Sequence, residues 1–398
     1  MFSESDYDRL LLPITSSQTK LEVDIFSILI GKIKGIYRLS PTDLYMLFSY
    51  AYDVTELTKI LDMIDKFVLN ESKEIDLLLG QVAKTAYRST KYMFDFKGTK
   101  YVPFEENGRI SDIVRSISER TVGEFKNISK TTAFQVRQNG ELMNTPLSRA
   151  YQTVVDNAIQ NVLTGNIDYN KAIEQAIKEF SDSGLKAVTY NSEKGNFTTR
   201  RLDAAVKSNV LEGIRAINQG IQDEIGRQIG ADGKEISVHQ YPAADHAPIQ
   251  GHQFTNEEYE KLQSDEDFED VKGKHFNAIE RAIGMWNCRH FTRSIILGLD
   301  KPLYTDKQLQ DILDRNEEGY TTPSGKHLTM YQCTQVQRDY ELKIKRAKEA
   351  YLLSKSVNNE ELMSMYKYKV DTLNHEYQMF SNSCKIPPKF ENTYVEGY

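Results

Sequence analysis

Residues 235–254 read EISVHQYPAADHAPIQGHQF, and residues 281–298 read RAIGMWNCRHFTRSIILG. Between them runs an acidic span, Glu257–Asp270, EEYEKLQSDEDFED. This block holds five of the chain's seven histidines (His239, His246, His252, His275, His290), Cys288, which is one of three cysteines, and the sole tryptophan, Trp286. Glu235–Tyr241 alternates, with Ile236 and Val238 on one side and Ser237 and His239 on the other, which predicts a strand. The segment after it is dense in Pro, Gly and His, as loops are. The block therefore predicts a small β-containing module, and the acidic span predicts a solvated insertion within it.

On either side the chain has helical periodicity. Leu202, Val206, Val210, Ile214, Ile217, Ile221 and Ile225 recur every three or four residues, predicting a helix of seven or eight turns with one narrow apolar seam. Leu21, Ile25, Ile28, Leu29 and Ile33 make a similar stripe. Ser40–Pro41 reads as a helix start before Leu44, Leu47, Phe48 and Tyr52. Leu57, Ile60, Leu61, Ile64 and Val68 continue the pattern, extended by Ile75, Leu78, Val82 and Ala86. The periodicity fails over FDFKGTKYVPFEEN (94–107), which predicts a linker or short hairpin and a domain boundary. Further helices are expected from Ile110, over Leu147–Leu163 and from Asp168, with a polar, threonine-rich connector around Ser129–Thr132 and a turn or hairpin at VTYNSEKGNFTTRR. Val336, Tyr340, Ile344, Ala347 and Tyr351 predict a basic amphipathic helix over Tyr331–Lys355, paired with a second helix over Glu360–Phe380. The tail KIPPKFENTYVEGY predicts an extended arm.

These readings give a mostly α-helical (α+β) chain. Its expected parts are an N-terminal helical region (1–93), a linker (94–109), a central helical region (110–231), a small α+β module (232–328) and a C-terminal helical hairpin with an arm (329–398). Hydrophobic residues make up 39% and charged residues 27%, as in a water-soluble fold with a core. No run reaches the roughly 18 apolar residues of a spanning helix, and the acidic start lacks the basic region of a signal peptide. Three scattered cysteines make no disulfide framework, which points to a reducing compartment. A net charge of −7 argues against broad sequence-independent DNA binding.

For chemistry, His239, Asp245, His246, Cys288 and His290 are the candidate metal ligands, since imidazole, thiolate and carboxylate are the groups that hold zinc. Mutual hydrogen bonding in a loop-rich module accounts for the same residues without a metal. A metal-dependent nuclease or toxin-like effector built on this cluster is the alternative from another class. It lacks a nucleophile elbow, a P-loop and a paired-carboxylate motif, so no enzymatic activity is expected. On the basic helix, Arg338, Lys343, Lys345 and Arg346 are candidate DNA contacts through phosphate.

The order of these residues resembles the phage minor capsid protein 2 family, which is related to the Mu-type head morphogenesis proteins. The resemblance rests on a Ser-x-His strand (Ser237, His239), a loop with Asp245–His246, then Gln250–Gly251, and the segment Trp286–Asn287–Cys288–Arg289–His290. Upstream, Tyr190–Gly195 and the pair Ala205–Val206 fit it, as does YQCTQVQRDYELKIKRAKEAY downstream, and it covers about 110–355. The chain departs from the family pattern at Ala243–Ala244–Asp245, where an arginine is usual, and at Ile249, where an aromatic is common. The resemblance implies a structural minor head protein in the virion. Such a protein is assembled in the host cytoplasm near the portal vertex, without membrane contact. Its expected partners are the portal protein and other capsid or scaffold proteins, and it is expected to leave the particle with the DNA. Gln250, Gly251, Trp286, Asn287 and Arg289 belong to the motif.

Overall fold

A computed structural model describes residues 4–36, 55–130, 132–138, 141–146, 169–191, 196–264, 267–270, 273–276, 283, 288 and 290–398. The helices expected at Ser40–Tyr52 and Leu147–Leu163 lie outside those residues. The first element, α1 (Glu4–Ile36), carries Pro13 in its interior. It is followed by α2 (Thr55–Arg88), α3 (Lys91–Lys97) and α4 (Gly108–Lys130). Strands β1 (Thr132–Gln138) and β2 (Glu141–Pro146), helix α5 (Tyr169–Ser183), and strands β3 (Lys186–Asn191) and β4 (Asn196–Arg201) lead into the long helix α6 (Leu202–Ile229). The small module then comprises β5 (Gly233–Ile236), β6 (Gln253–Thr255), α7 (Asn256–Ser264), β7 (Phe268–Glu269), β8 (His275–Phe276) and β9 (Thr292–Ile295). Last come α8 (Asp306–Glu318), β10 (Tyr320–Thr321), β11 (His327–Leu328), α9 (Met330–Ser356) and α10 (Glu360–Cys384). The architecture is mostly helical with a C-terminal helical pair, as the periodicity predicts. Among the described residues no helix is long and apolar enough to cross a membrane.

Helix α6 is the axis of the molecule. All seven residues of its seam are buried, and they share one core with residues of α1, α2, α4, α5 and α9. Each such side chain contributes roughly 1.5–3 kcal/mol by leaving water. Phe26 of α1 stacks on Phe180 of α5 with ring centroids 4.7 Å apart. On α2 the buried stripe is Ile60, Phe67, Ile75, Leu79, Val82 and Ala86, whereas Leu61, expected inside, is 47% exposed.

Three other expectations change. The segment 94–109 holds the end of α3, a 3-10 turn (Phe104–Glu106) and the start of α4. Its aromatics close around Tyr87, with Tyr101 stacked at 5.2 Å and Phe104 tilted at 6.0 Å. Core residues on both sides of it, Tyr87 and Ile110 among them, lie in one cluster. The threonine-rich connector at 129–132 contains the start of a four-stranded sheet of order β2-β1-β3-β4. Its β3–β4 pair is the predicted hairpin. Finally, the tail folds back as a turn on α9 and α1 instead of extending. Lys348 donates to the Thr393 carbonyl at 2.9 Å, Lys20 pairs with Glu396 at 2.5 Å, and Val395 is buried.

One buried ion network ties four parts of this body together. Arg201, at the β4–α6 junction, donates to Glu22 of α1 at 3.1 Å, to Glu349 of α9 at 3.3 Å and to Asp203 at 3.3 Å. It also reaches the Ser181 carbonyl of α5 at 3.5 Å. Burial pushes Glu22 up to about 8 against the pull of Arg201, and raises Glu349 as well. Burial works in the same sense on Asp203, but Arg201 and then Lys345 outweigh it and hold that carboxyl below its usual range.

Removing the guanidinium leaves three carboxyls without their common partner, so Arg201→Met should cost about 3–5 kcal/mol in denaturant unfolding. The network also sets a pH dependence. Glu22 binds its proton more tightly folded than unfolded. Its stabilising share is therefore complete below pH 4.5 and is lost as pH rises through about 8. Glu349 acts in the same direction, while Asp203 loses its share as pH falls below 3.8. Stability should decline between about pH 5 and pH 8, and Glu22→Gln should flatten that decline when unfolding is followed across the range.

Candidate functional site

The module is built on a three-stranded sheet of order β6-β5-β9. The observed strand β5, Gly233–Ile236, starts two residues before the predicted Glu235–Tyr241 and ends five residues before it, so His239 stands beyond its end. The shift follows from pairing. Glu235 lies opposite Arg293 in the β5–β9 register, and their buried side chains bond at 2.6 Å. Glu235 also accepts from Gln253 and from the Leu303 amide, both at 2.9 Å, so this buried charge is fully partnered. Past the strand, Ser237 exchanges two bonds with Phe291: its amide to the Phe291 carbonyl at 2.9 Å, and the Phe291 amide to its hydroxyl at 3.1 Å.

The sheet sits on the polar side of α6. Thr292 donates to Gln219 at 2.7 Å, and Ser294 donates to the Gln222 carbonyl at 2.7 Å. Gly226 lets the strand approach, since a Cβ there would stand 2.6 Å from the Ser294 hydroxyl. A second apolar core, with Ile236, Ile249, Phe254, Leu262, Phe268 and Phe276, fills the module. Glu258, Leu262 and Phe268 of the acidic span are buried in the module, while Glu257, Glu260, Asp267 and Glu269 are exposed as a solvated span requires. Glu258 and Thr255 cap α7 reciprocally, at 2.7 and 3.1 Å. Phe268 stacks on Phe276 at 5.5 Å across the β7–β8 pair.

The loop after β5 returns through consecutive turns, the His246 amide to the Ala243 carbonyl and the Gln250 amide to the His246 carbonyl. It ends at Gly251, whose amide bonds the Ile236 carbonyl at 3.0 Å. Gly251 has φ +72°, and a Cβ would lie 2.4 Å from Leu309 and 2.9 Å from Val238. The Gln-Gly pair is thus explained by backbone shape at the glycine and by hydrogen bonding at the glutamine. Gln250 accepts from the His239 amide at 2.8 Å and faces His290 Nε2 at 3.5 Å.

The predicted site residues divide into three groups. His246, Cys288 and His290 converge, with potential ligand atoms within 4.8 Å of one another. Cys288 Sγ lies 3.5 Å from His246 Nδ1 and 3.4 Å from His290 Nδ1. Both histidines are buried, and the cysteine is half-buried. Asp245 and His239 surround them. Asp245 stands 3.6 Å from His246 Nε2, and the His239 ring meets His290 edge-on at 4.1 Å. Trp286, Asn287 and Arg289 lie outside the described residues. His252 belongs elsewhere, beside Lys274 at 2.9 Å and the Phe276 ring at 5.6 Å. Cys333 and Cys384 are buried in a separate cluster, where burial pushes the Cys384 thiol up to about 12.

The basic helix face is smaller than its sequence suggests. Arg338 and Lys343 are exposed, Lys343 pairing with Asp339 at 2.6 Å. Lys345 and Arg346 are half-buried, and Lys345 lies 3.7 Å from Asp203. The four candidate DNA contacts therefore do not form one open face. Arg201, Glu22, Glu349, Gln219 and Gln222 were invisible to sequence reasoning because their partners are distant in the chain. A regular placing of glutamines opposite the apolar seam was the only available signal.

The fold and site define a helical protein that carries a compact module centred on buried histidines and a cysteine. The chain matches the family model described as Phage minor capsid protein 2 over residues 19–381, and it belongs to that family. The match extends well beyond 110–355 on both sides. No curated protein and no solved structure matches the chain.

Because Gly251 combines a positive φ with no room for a methyl group, Gly251→Ala should destabilise by about 2–4 kcal/mol. Chemical unfolding measures it, and a change below about 1 kcal/mol would show that the loop can relax away from Leu309.

Proposed function

We propose that this chain is a structural minor component of the phage head, acting in assembly at the portal vertex and contacting the portal together with coat or scaffold subunits. The observation that carries this reading is membership of the minor capsid family across nearly the whole chain. The surface supports it. Leu61, Leu69 and Leu77 on α2 stand exposed, as do Met365, Tyr368 and Met379 on α10. Apolar residues on rigid helices are what an assembly subunit offers to partners. The burial of His246 and His290 favours a framework role for the module over a nuclease or toxin site, which requires a cluster open to substrate.

The test is a particle experiment. Mass spectrometry of purified virions should find the chain in few copies, far below the major coat protein. An asymmetric cryo-EM reconstruction should place its density at the portal vertex. Leu69→Asp together with Leu77→Asp should prevent incorporation while the isolated protein stays folded. Virions that lack the chain, or that carry it throughout the shell, would refute the proposal.

A further inference from the structure

His290 Nε2 faces the side-chain carbonyl oxygen of Gln250 at 3.5 Å, and His246 Nε2 faces the Asp245 carboxylate at 3.6 Å. Both oxygens favour a proton on Nε2, because a carbonyl or carboxylate oxygen can only accept. In that tautomer the Nδ1 atoms carry lone pairs, and both lone pairs point at one sulfur, 3.4 and 3.5 Å away. A divalent cation between the three atoms takes both nitrogens and the thiolate as ligands at once. The spacing agrees as well. A tetrahedral zinc with bonds of about 2.3 Å to sulfur and about 2.0 Å to nitrogen holds neighbouring S and N ligands about 3.5 Å apart.

We infer that His246 Nδ1, Cys288 Sγ and His290 Nδ1 form a binding site for a thiophilic divalent transition metal of the zinc class. Asp245 and Gln250 are its outer-shell orienters, not its ligands. This assigns a role to each residue. The carboxylate and the amide hold the imidazoles in the ligating tautomer and orientation, an arrangement that recurs around protein-bound metals. The metal joins His246, in the loop after β5, to Cys288 and His290, which shortly precede β9 in the sequence. Binding displaces the thiol proton to solvent, so affinity rises with pH. Three protein ligands leave one position of a tetrahedral zinc to a further ligand. The inference stands on this geometry and does not depend on the role of the chain in the particle.

The experiment uses the full-length chain, stripped with chelator and titrated with Co(II). One equivalent should bind and produce thiolate-to-cobalt charge-transfer absorption, and one equivalent of Zn(II) should abolish that absorption. Cys288→Ser should eliminate the charge-transfer absorption, whereas Cys333→Ser should retain it, which separates this sulfur from the buried Cys333–Cys384 pair where α9 begins and α10 ends. Asp245→Asn should keep the absorption and weaken affinity about 10- to 100-fold. Thermal unfolding of the unaltered chain supplies a readout independent of any variant's folding, since Zn(II) should raise Tm and chelator should reverse the rise. Absence of stoichiometric binding by the unaltered chain overturns the inference, as does charge-transfer absorption that survives Cys288→Ser.

Discussion

Helix α6 has to satisfy two environments at once, and the rest of the structure follows from how it does so. Its seam from Leu202 to Ile225 removes seven large apolar side chains from water against the surrounding helices. On the opposite side Gln219 and Gln222 offer hydrogen-bonding groups where β9 supplies Thr292 and Ser294. The first interaction is non-directional and sets how much surface is buried. The second is directional and sets which residue of the module lies over which turn of the helix. An apolar contact on both sides would give the module no preferred register along α6.

The module in turn converts that fixed register into a compact arrangement of polar groups. Gln250 bonds the His239 amide and faces His290, Gly251 brings the loop back under Leu309, and Cys288 arrives from a segment about 40 residues later. Buried imidazoles lower the free energy of a fold only when their nitrogens have partners. The short loop, the strand shift and the Glu235–Arg293 pair all serve to align those partners.

The legible parts of the chain are those in which neighbouring residues decide the outcome. The α6 seam was readable because a helix repeats every 3.6 residues and each seam residue meets the same apolar core. The β3–β4 hairpin and the α9–α10 pair could be read in the same way. The β1–β2 hairpin escaped although Asn139–Gly140 lies between its strands, because a threonine-rich stretch also reads as a connector. The packing role of the acidic span was missed for a related reason. Its charges dominate the composition, while among the described residues Glu258, Tyr259, Leu262 and Phe268 carry the packing.

The sequence by itself determined a helical protein with one chemically distinct insert, because periodicity and residue type are local properties that survive without coordinates. It also determined family membership, since the spacing of the His, Gln-Gly and Asn-Cys-Arg-His elements is written in order along the chain. Only the tertiary structure decided that Arg201 faces three carboxyls, that Lys345 turns toward Asp203, and that Asp245 stands behind His246 instead of beside the sulfur. Such outcomes depend on which distant elements share a buried space. In a medium of low dielectric the position of each partner, not its presence in the sequence, sets the energy.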